Sequence, residues 1–145
     1  MWRPPFHSLF KLNFDVAIFR EYNSFGFNAM IWNEQGEVMV VMAAKGPPVS
    51  SSEEANTLAC RKALEFAVDA GFSELVVEGD NVNVMRAVSS STMNLSLLGN
   101  VIADIQCLLC GLGRVSISCI KRRGGGNRVA HELARYARIL DEDMY

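Results

Sequence analysis

Lys11-Leu12-Asn13-Phe14-Asp15-Val16-Ala17-Ile18-Phe19 is the stretch on which the fold turns. Leu12, Phe14, Val16 and Ile18 alternate with Asn13, Asp15 and Ala17, and a period of two is the mark of a β-strand. Acids are depleted in strands, central ones above all. A carboxylate buried there is costly unless something compensates it. Asp15 is therefore either a satisfied strand polar group or one side of a cation site.

Downstream of Arg20–Ser24, Phe25–Trp32 reads as a second strand. Asn33-Glu34-Gln35-Gly36 reads as a turn with glycine at its end, and Glu37–Ala43 as a third strand, which completes an antiparallel meander. Lys45-Gly46-Pro47-Pro48 is expected to break the sheet. Ser51 with Glu54 three residues on is a capping box. The helix behind it sets Ala55, Ala59, Ala63, Phe66 and Ala70 at helical spacing, and Gly71 closes it. Glu74–Glu78 is a short Val-rich strand reached by a crossover, hence parallel to the first. Gly79-Asp80-Asn81 opens a helix to about Ser89, and Ser89–Thr92 is a loop. Leu95–Leu112 is a long apolar helix, and Arg114–Ile120 alternates as a last strand. A basic, Gly-rich loop, Lys121–Asn127, leads to an amphipathic helix, Arg128–Leu140, with Val129, Leu133 and Tyr136 on one side. This gives a lead-in of 1–10, one α/β domain over 11–140 and an acidic tail of 141–145. The element order is βββαβααβα in one mixed sheet, and right-handed crossovers put the fourth strand beside the first.

Sites in open α/β sheets form at the carboxyl ends of parallel strands. Asp80 stands just past the end of the fourth strand. If that strand neighbours the first, Asp15 and Asp80 converge, and a divalent cation removes their repulsion. Alone, Asp80 reads equally well as the N-cap of the next helix. Asn56 lies at the edge of the apolar arc of its helix. Its amide oxygen is a weak metal ligand, or its side chain is tied to a nearby backbone group; the spacing leaves both open. Glu53 leans towards the same side, while Glu54 belongs to the capping box. His131 sits beside the Val129–Leu133 line of the last helix, where a lone histidine is ordinarily structural.

A net charge of −2 over 145 residues conceals an asymmetry. Arg114–Arg138 holds seven basic residues against one acid, a net of +6, while residues 1–113 carry a net of −5. One positive face suits phosphate. No apolar run approaches the ~20 residues needed to span a bilayer. Met1-Trp2-Arg3-Pro4-Pro5 lacks the apolar region of a signal peptide, so an intracellular monomer is expected. Cys60, Cys107, Cys110 and Cys119 include one Cys-x-x-Cys, but no second pair or histidine follows at zinc spacing. Buried thiols in a reducing compartment are the expectation. No Gly-rich phosphate loop follows the first strand, which removes the support for a flavodoxin-like nucleotide binder.

Trp2-x-Pro4-Pro5, Lys11-Leu12-Asn13-Phe14-Asp15, Ala55-Asn56-Thr57-Leu58-Ala59 through Ala63-Leu64, Glu78-Gly79-Asp80-Asn81 and Asn127-Arg128-Val129-Ala130-His131-Glu132-Leu133-Ala134 together resemble the ribonuclease H-like domain of plant retroelement reverse transcriptases and their free-standing relatives. The likeness spans nearly the whole chain, and the abrupt start suggests a piece of a longer polyprotein. It implies a five-stranded mixed sheet in the order 3-2-1-4-5 with helices on both faces. It also implies four carboxylates holding two magnesium ions that cut the RNA strand of an RNA–DNA hybrid. Asp15 and Asp80 match the first and third of these. Asn56 stands where the family has Glu, and His131 where it has Asp or, in the plant branch, His. The loop that often carries an assisting histidine is Gly124-Gly125-Gly126 here.

Two-metal cleavage needs ions about 3.5–4 Å apart. With Asn56 and a neutral His131, only Asp15 and Asp80 supply charge, enough for one ion. Magnesium, a hard cation, prefers carboxylate oxygen; manganese accepts nitrogen more readily. The implied catalytic set is thus Asp15, Asn56, Asp80 and His131, with Asp15 and Asp80 on the metal. Lys121, Arg122, Arg123, Asn127 and Arg128 are the expected contacts to nucleic acid, an RNA–DNA hybrid or structured RNA, with little base specificity. A catalytically inactive binding module on the same fold is the alternative. A protein-interaction domain is disfavoured by the +6 stretch.

Overall fold

The computed structural model describes residues 10–19, 24–90 and 98–119. Its strands are β1 (Phe10–Phe19), β2 (Ser24–Trp32), β3 (Val38–Gly46), β4 (Glu74–Gly79) and β5 (Arg114–Cys119), and its helices α1 (Ser52–Asp69), α2 (Val82–Ser89) and α3 (Gly99–Cys110). They form one sheet in the order β3-β2-β1-β4-β5, antiparallel on the β2 side of β1 and parallel on the β4 side. The expected order holds. The expected final helix, Arg128–Leu140, lies outside the described residues.

Alternation sorts the sheet into two faces. Leu12, Phe14 and Val16 share one face with their ladder partners Ile31, Ala29 and Phe27. That face joins Ala55, Ala59, Ala63 and Leu64 of α1, Val84 and Met85 of α2 and Ile105 of α3 in one buried core. Asn13, Asp15 and Ala17 take the opposite face, with Asn28 paired to Asp15 and Met30 paired to Asn13.

Local chemistry sets the element ends. Asn33 Oδ1 accepts from the N–H groups of Gln35 and Glu37, both at 2.9 Å, and Gly36 supplies the positive φ of 79° that closes the turn. Ser51 N-caps α1 by accepting from Glu54 N–H at 3.0 Å. The return bond of the box is shifted by one residue: Glu54 Oε1 accepts from Ser50 N–H at 2.7 Å. Gly71, at φ 93°, follows the C-cap Ala70.

Two boundaries differ from expectation. β3 runs through Lys45 and Gly46 instead of breaking there, because Gly46 still pairs with Phe25 in the ladder. The absent side chain makes this possible: a Cβ on Gly46 would fall 2.0 Å from Phe25 Cζ. The expected helix from Leu95 is described from Gly99 onward.

The cysteines are a correction as well. Only Cys60 is buried; Cys107, Cys110 and Cys119 are exposed. The apolar run suggested otherwise, but α3 buries just Ile102 and Ile105, so its two thiols fall on the open side. Burial pushes the Cys60 thiol up to about 12. At pH 8 its thiolate, the reactive form, is then a fraction on the order of one in ten thousand. A thiol-reactive dye is expected to label three cysteines quickly in the native chain and Cys60 only after unfolding. Four equally fast thiols would contradict the packing of α1. The unfolded chain releases this proton from pH 9, the folded chain only near 12, so stability falls across that window as pH rises.

Candidate metal and nucleic-acid site

The parallel β1–β4 ladder ends with Asn13 beside Glu78. Two residues beyond that pair in the chain come Asp15, still within β1, and Asp80, one residue past the end of β4. β4 stops at Gly79, which leaves Asp80 at the carboxyl rim of the sheet. Asp15 is buried with no exposed surface, and its Oδ1 accepts from Val16 N–H at 2.9 Å. Asp80 is half-buried. It does not cap α2: that role belongs to Asn81, whose Oδ1 accepts from Val84 N–H at 3.1 Å. The bland explanation for Asp80 is thereby lost.

Packing fixes the two acid-bearing backbones together. A Cβ on Gly79 would lie 2.8 Å from Phe14 Cζ and 2.8 Å from Met85 Sδ. The Phe14 ring therefore rests directly on Gly79, next to Asp15 on one strand and Asp80 on the other.

Asn56 is 4% exposed, in the first turns of α1. Its Nδ2 donates to the carbonyl of Ser52 at 2.9 Å, while Oδ1 is buried with no hydrogen-bond partner. The backbone-tether reading holds for one end of the amide; the other end is a buried oxygen without a hydrogen-bond partner. Because α1 packs on the Phe14 face, Asn56 and Asp15 start from opposite sides of β1. Glu53 is exposed and lines a cleft of about 500 Å³ with Thr57, Asn83, Val84 and Ile102. His131, Lys121, Arg122, Arg123, Asn127 and Arg128 lie outside the described residues.

Sequence reasoning missed Asn28. It is fully buried, directly across the ladder from Asp15, and neither Oδ1 nor Nδ2 has a hydrogen-bond partner. Asn13, two residues before Asp15 on the same face, has an equally orphaned Oδ1. Alternation in Phe25-x-Phe27-Asn28-Ala29 already sets Asn28 against its apolar neighbours, and that was the available signal. Each orphaned buried polar atom costs roughly 1–3 kcal/mol, and such groups gather where a ligand, water or ion belongs. No group of three or more His, Cys, Asp or Glu fit to hold a metal occurs among the described residues. On the Asp15 face of β1 the unpartnered amide oxygens are those of Asn13 and Asn28, whereas Asn56 Oδ1 lies on the α1 side. Oxygen-only sets of this kind suit a hard cation.

A five-stranded mixed sheet in this order, with a buried acid on its central strand and another at the rim beside it, defines the ribonuclease H fold class. A model of the reverse transcriptase-like family matches residues 13–137, and the chain belongs to that family. Among solved structures, ribonuclease H1 of the halophilic archaeon Halobacterium salinarum is similar at 22% identity and a TM-score of 0.78, over 90% of this chain and 98% of that one. LC11 ribonuclease H1 in complex with RNA/DNA hybrid is similar at 19% identity and 0.73, over 88% and 95%. The N-terminal ribonuclease H domain from Mycobacterium tuberculosis is similar at 20% and 0.72, over 89% and 92%. Comparison with curated protein sequences returns no match.

Proposed function

We propose that this chain binds nucleic acid, RNA–DNA hybrid first, as a ribonuclease H-like domain of the plant retroelement type whose cleavage is weakened by an incomplete acid set. The observation that carries the reading is buried Asp15 on β1 with half-buried Asp80 just past the end of β4, the parallel neighbour of β1 in the sheet. Support for the partner comes from the similar LC11 enzyme, solved in complex with RNA/DNA hybrid.

Asp15 and Asp80 would hold one magnesium ion, or manganese in its place. Such an ion supplies charge neutralisation at a scissile phosphate and acidifies bound water. The chain's own share is positional: β1 fixes Asp15 in a dry setting, and Phe14 on Gly79 keeps the two acids level. Neutral Asn56 can offer only a dipole where a carboxylate would bring charge, so holding a second ion is disfavoured. That same neutrality favours the alternative, a binding module without turnover, for which the Ser52 tether of the Asn56 amide speaks directly.

Lys121, Arg122, Arg123 and Arg128 would neutralise about four phosphates. At a slope near −0.9 per contact, affinity for a hybrid duplex should fall by roughly a hundredfold between 50 and 200 mM salt. Fluorescence anisotropy with a labelled hybrid measures this. A flat salt response would remove nucleic acid as the partner.

A further inference from the structure

We infer that Asn28, together with Asn13, supplies neutral oxygen ligands to a cation centred on Asp15, on the sheet face turned away from α1. The inference rests on the ion-binding reading of Asp15 given above and extends its ligand set to β2.

The geometry is that of one face of an antiparallel ladder. Asp15 and Asn28 are direct partners, which sets their Cβ atoms about 4.5–5.5 Å apart. Asn13 stands on the same face one pleat away, about 7 Å along the strand. All three are at least 95% buried. Two neighbouring carboxamides in such a setting would ordinarily bond to each other, to backbone or to the acid. Three of their four polar atoms do not: Asn13 Oδ1, Asn28 Oδ1 and Asn28 Nδ2 are all without hydrogen-bond partners. Buried oxygens on one sheet face that carry no hydrogen bond are available to a cation, which attracts every one of them.

The chemistry fits a hard, oxygen-seeking ion. Amide carbonyls are ordinary ligands of calcium and, less often, magnesium. One carboxylate with two amide oxygens brings three donors but a single negative charge, so the site suits one ion with water filling its other positions. Asn28 Nδ2 then has a role too, donating to an oxygen already on the ion, whether water or a phosphodiester. The remainder of the face agrees with a small polar notch. Ala17, Ala43 and Met30 surround it, buried and apolar, and none competes for the ion.

The test is thermal unfolding of the full chain without nucleic acid, after chelator treatment, titrated with magnesium, manganese or calcium chloride against sodium chloride of equal ionic strength. The unaltered chain is expected to rise in Tm with the divalent ion. Asn28→Ala and Asn13→Ala should each shift the titration midpoint at least tenfold higher. Asn28→Asp should be destabilised in chelator, through two facing buried carboxylates, and regain or exceed the parent Tm with the ion, at a midpoint tenfold lower. That variant keeps the test decisive if Asn28→Ala fails to fold. Asn28→Ala that titrates like the parent, or Asn28→Asp that no cation rescues, overturns the inference. Asp80→Asn separates the two readings. Loss with Asp80→Asn but not with Asn28→Ala leaves the ion on the two acids and removes Asn28. Loss with Asn28→Ala but not with Asp80→Asn retains the notch and removes the two-acid site.

Discussion

Replacing Asn56 by Glu should raise magnesium-dependent cleavage of an RNA–DNA hybrid by at least on the order of a hundredfold, the upper end of what losing even an outer partner of a metal costs. The reasoning is charge balance. Asp15 and Asp80 offer two negative charges, and a pair of divalent ions brings four positive ones. A Glu at 56 adds a third carboxylate from a position that is already 4% exposed, on a helix packed against β1. It also deletes the amide that now donates to Ser52 O, freeing the side chain to turn towards the rim where β1 and β4 part. A structural signature separates this from a trivial gain. Without metal, a buried third carboxylate lowers Tm; with magnesium the loss is reversed. Cleavage with labelled hybrid, run in magnesium and in manganese for both chains, decides the matter. A parent chain already as fast as Asn56→Glu in magnesium would show that two acids suffice and that the charge argument fails.

Much of the architecture could be read from side-chain periodicity, and the reasons are local. Leu12, Phe14, Val16 and Ile18 had to share a face, so β1 was unambiguous, and Ser51 with Glu54 marked the start of α1 to the residue. The parallel pairing of β4 with β1 followed from the crossover alone. What could not be read depended on contacts distant in the chain. Lys45-Gly46 looks like a strand breaker, yet the ladder partner Phe25 keeps Gly46 in β3. Cys107 and Cys110 look buried because the run around them is apolar, yet which side of α3 is covered depends on α1. Asn28 is marked in the sequence only by alternation within β2; the register is what sets it opposite Asp15. That Asp80 is not the cap of α2 could not be read either, since Asp80 and Asn81 are both capping residues and only the backbone gives the role to Asn81. The basic residues of 121–128 are read from charge alone, and their placement lies outside the described residues.

Phe14→Ala should destabilise the chain by roughly 3–5 kcal/mol, the usual cost of truncating a fully buried Phe, and should weaken divalent-ion binding more than an equally destabilising change elsewhere in the core. Phe14 is 1% exposed, and its ring tip occupies the space that a side chain on Gly79 would need. Removing the ring leaves a cavity between β1 and β4 at the very point where the ladder ends, and the backbone at Gly79-Asp80 loses its support. Leu64→Ala is the control: it empties a fully buried position of α1, at about 2–5 kcal/mol, without touching the strand ends. Gly79→Ala attacks the same contact from the other side. Its Cβ would meet Phe14 Cζ and Met85 Sδ, both at 2.8 Å, and overpacking of this kind costs roughly 1–3 kcal/mol. The two changes should not add. Combined with Phe14→Leu, which withdraws the ring tip, Gly79→Ala should cost less than it does alone, a coupling expected for residues in contact. Denaturant unfolding of the parent, Phe14→Ala, Leu64→Ala, Gly79→Ala, Phe14→Leu and the double variant, with magnesium titration of each, gives both numbers. Strict additivity would mean that the ring does not seat on Gly79. Intact ion binding in Phe14→Ala would mean that the rim acids hold their positions without it.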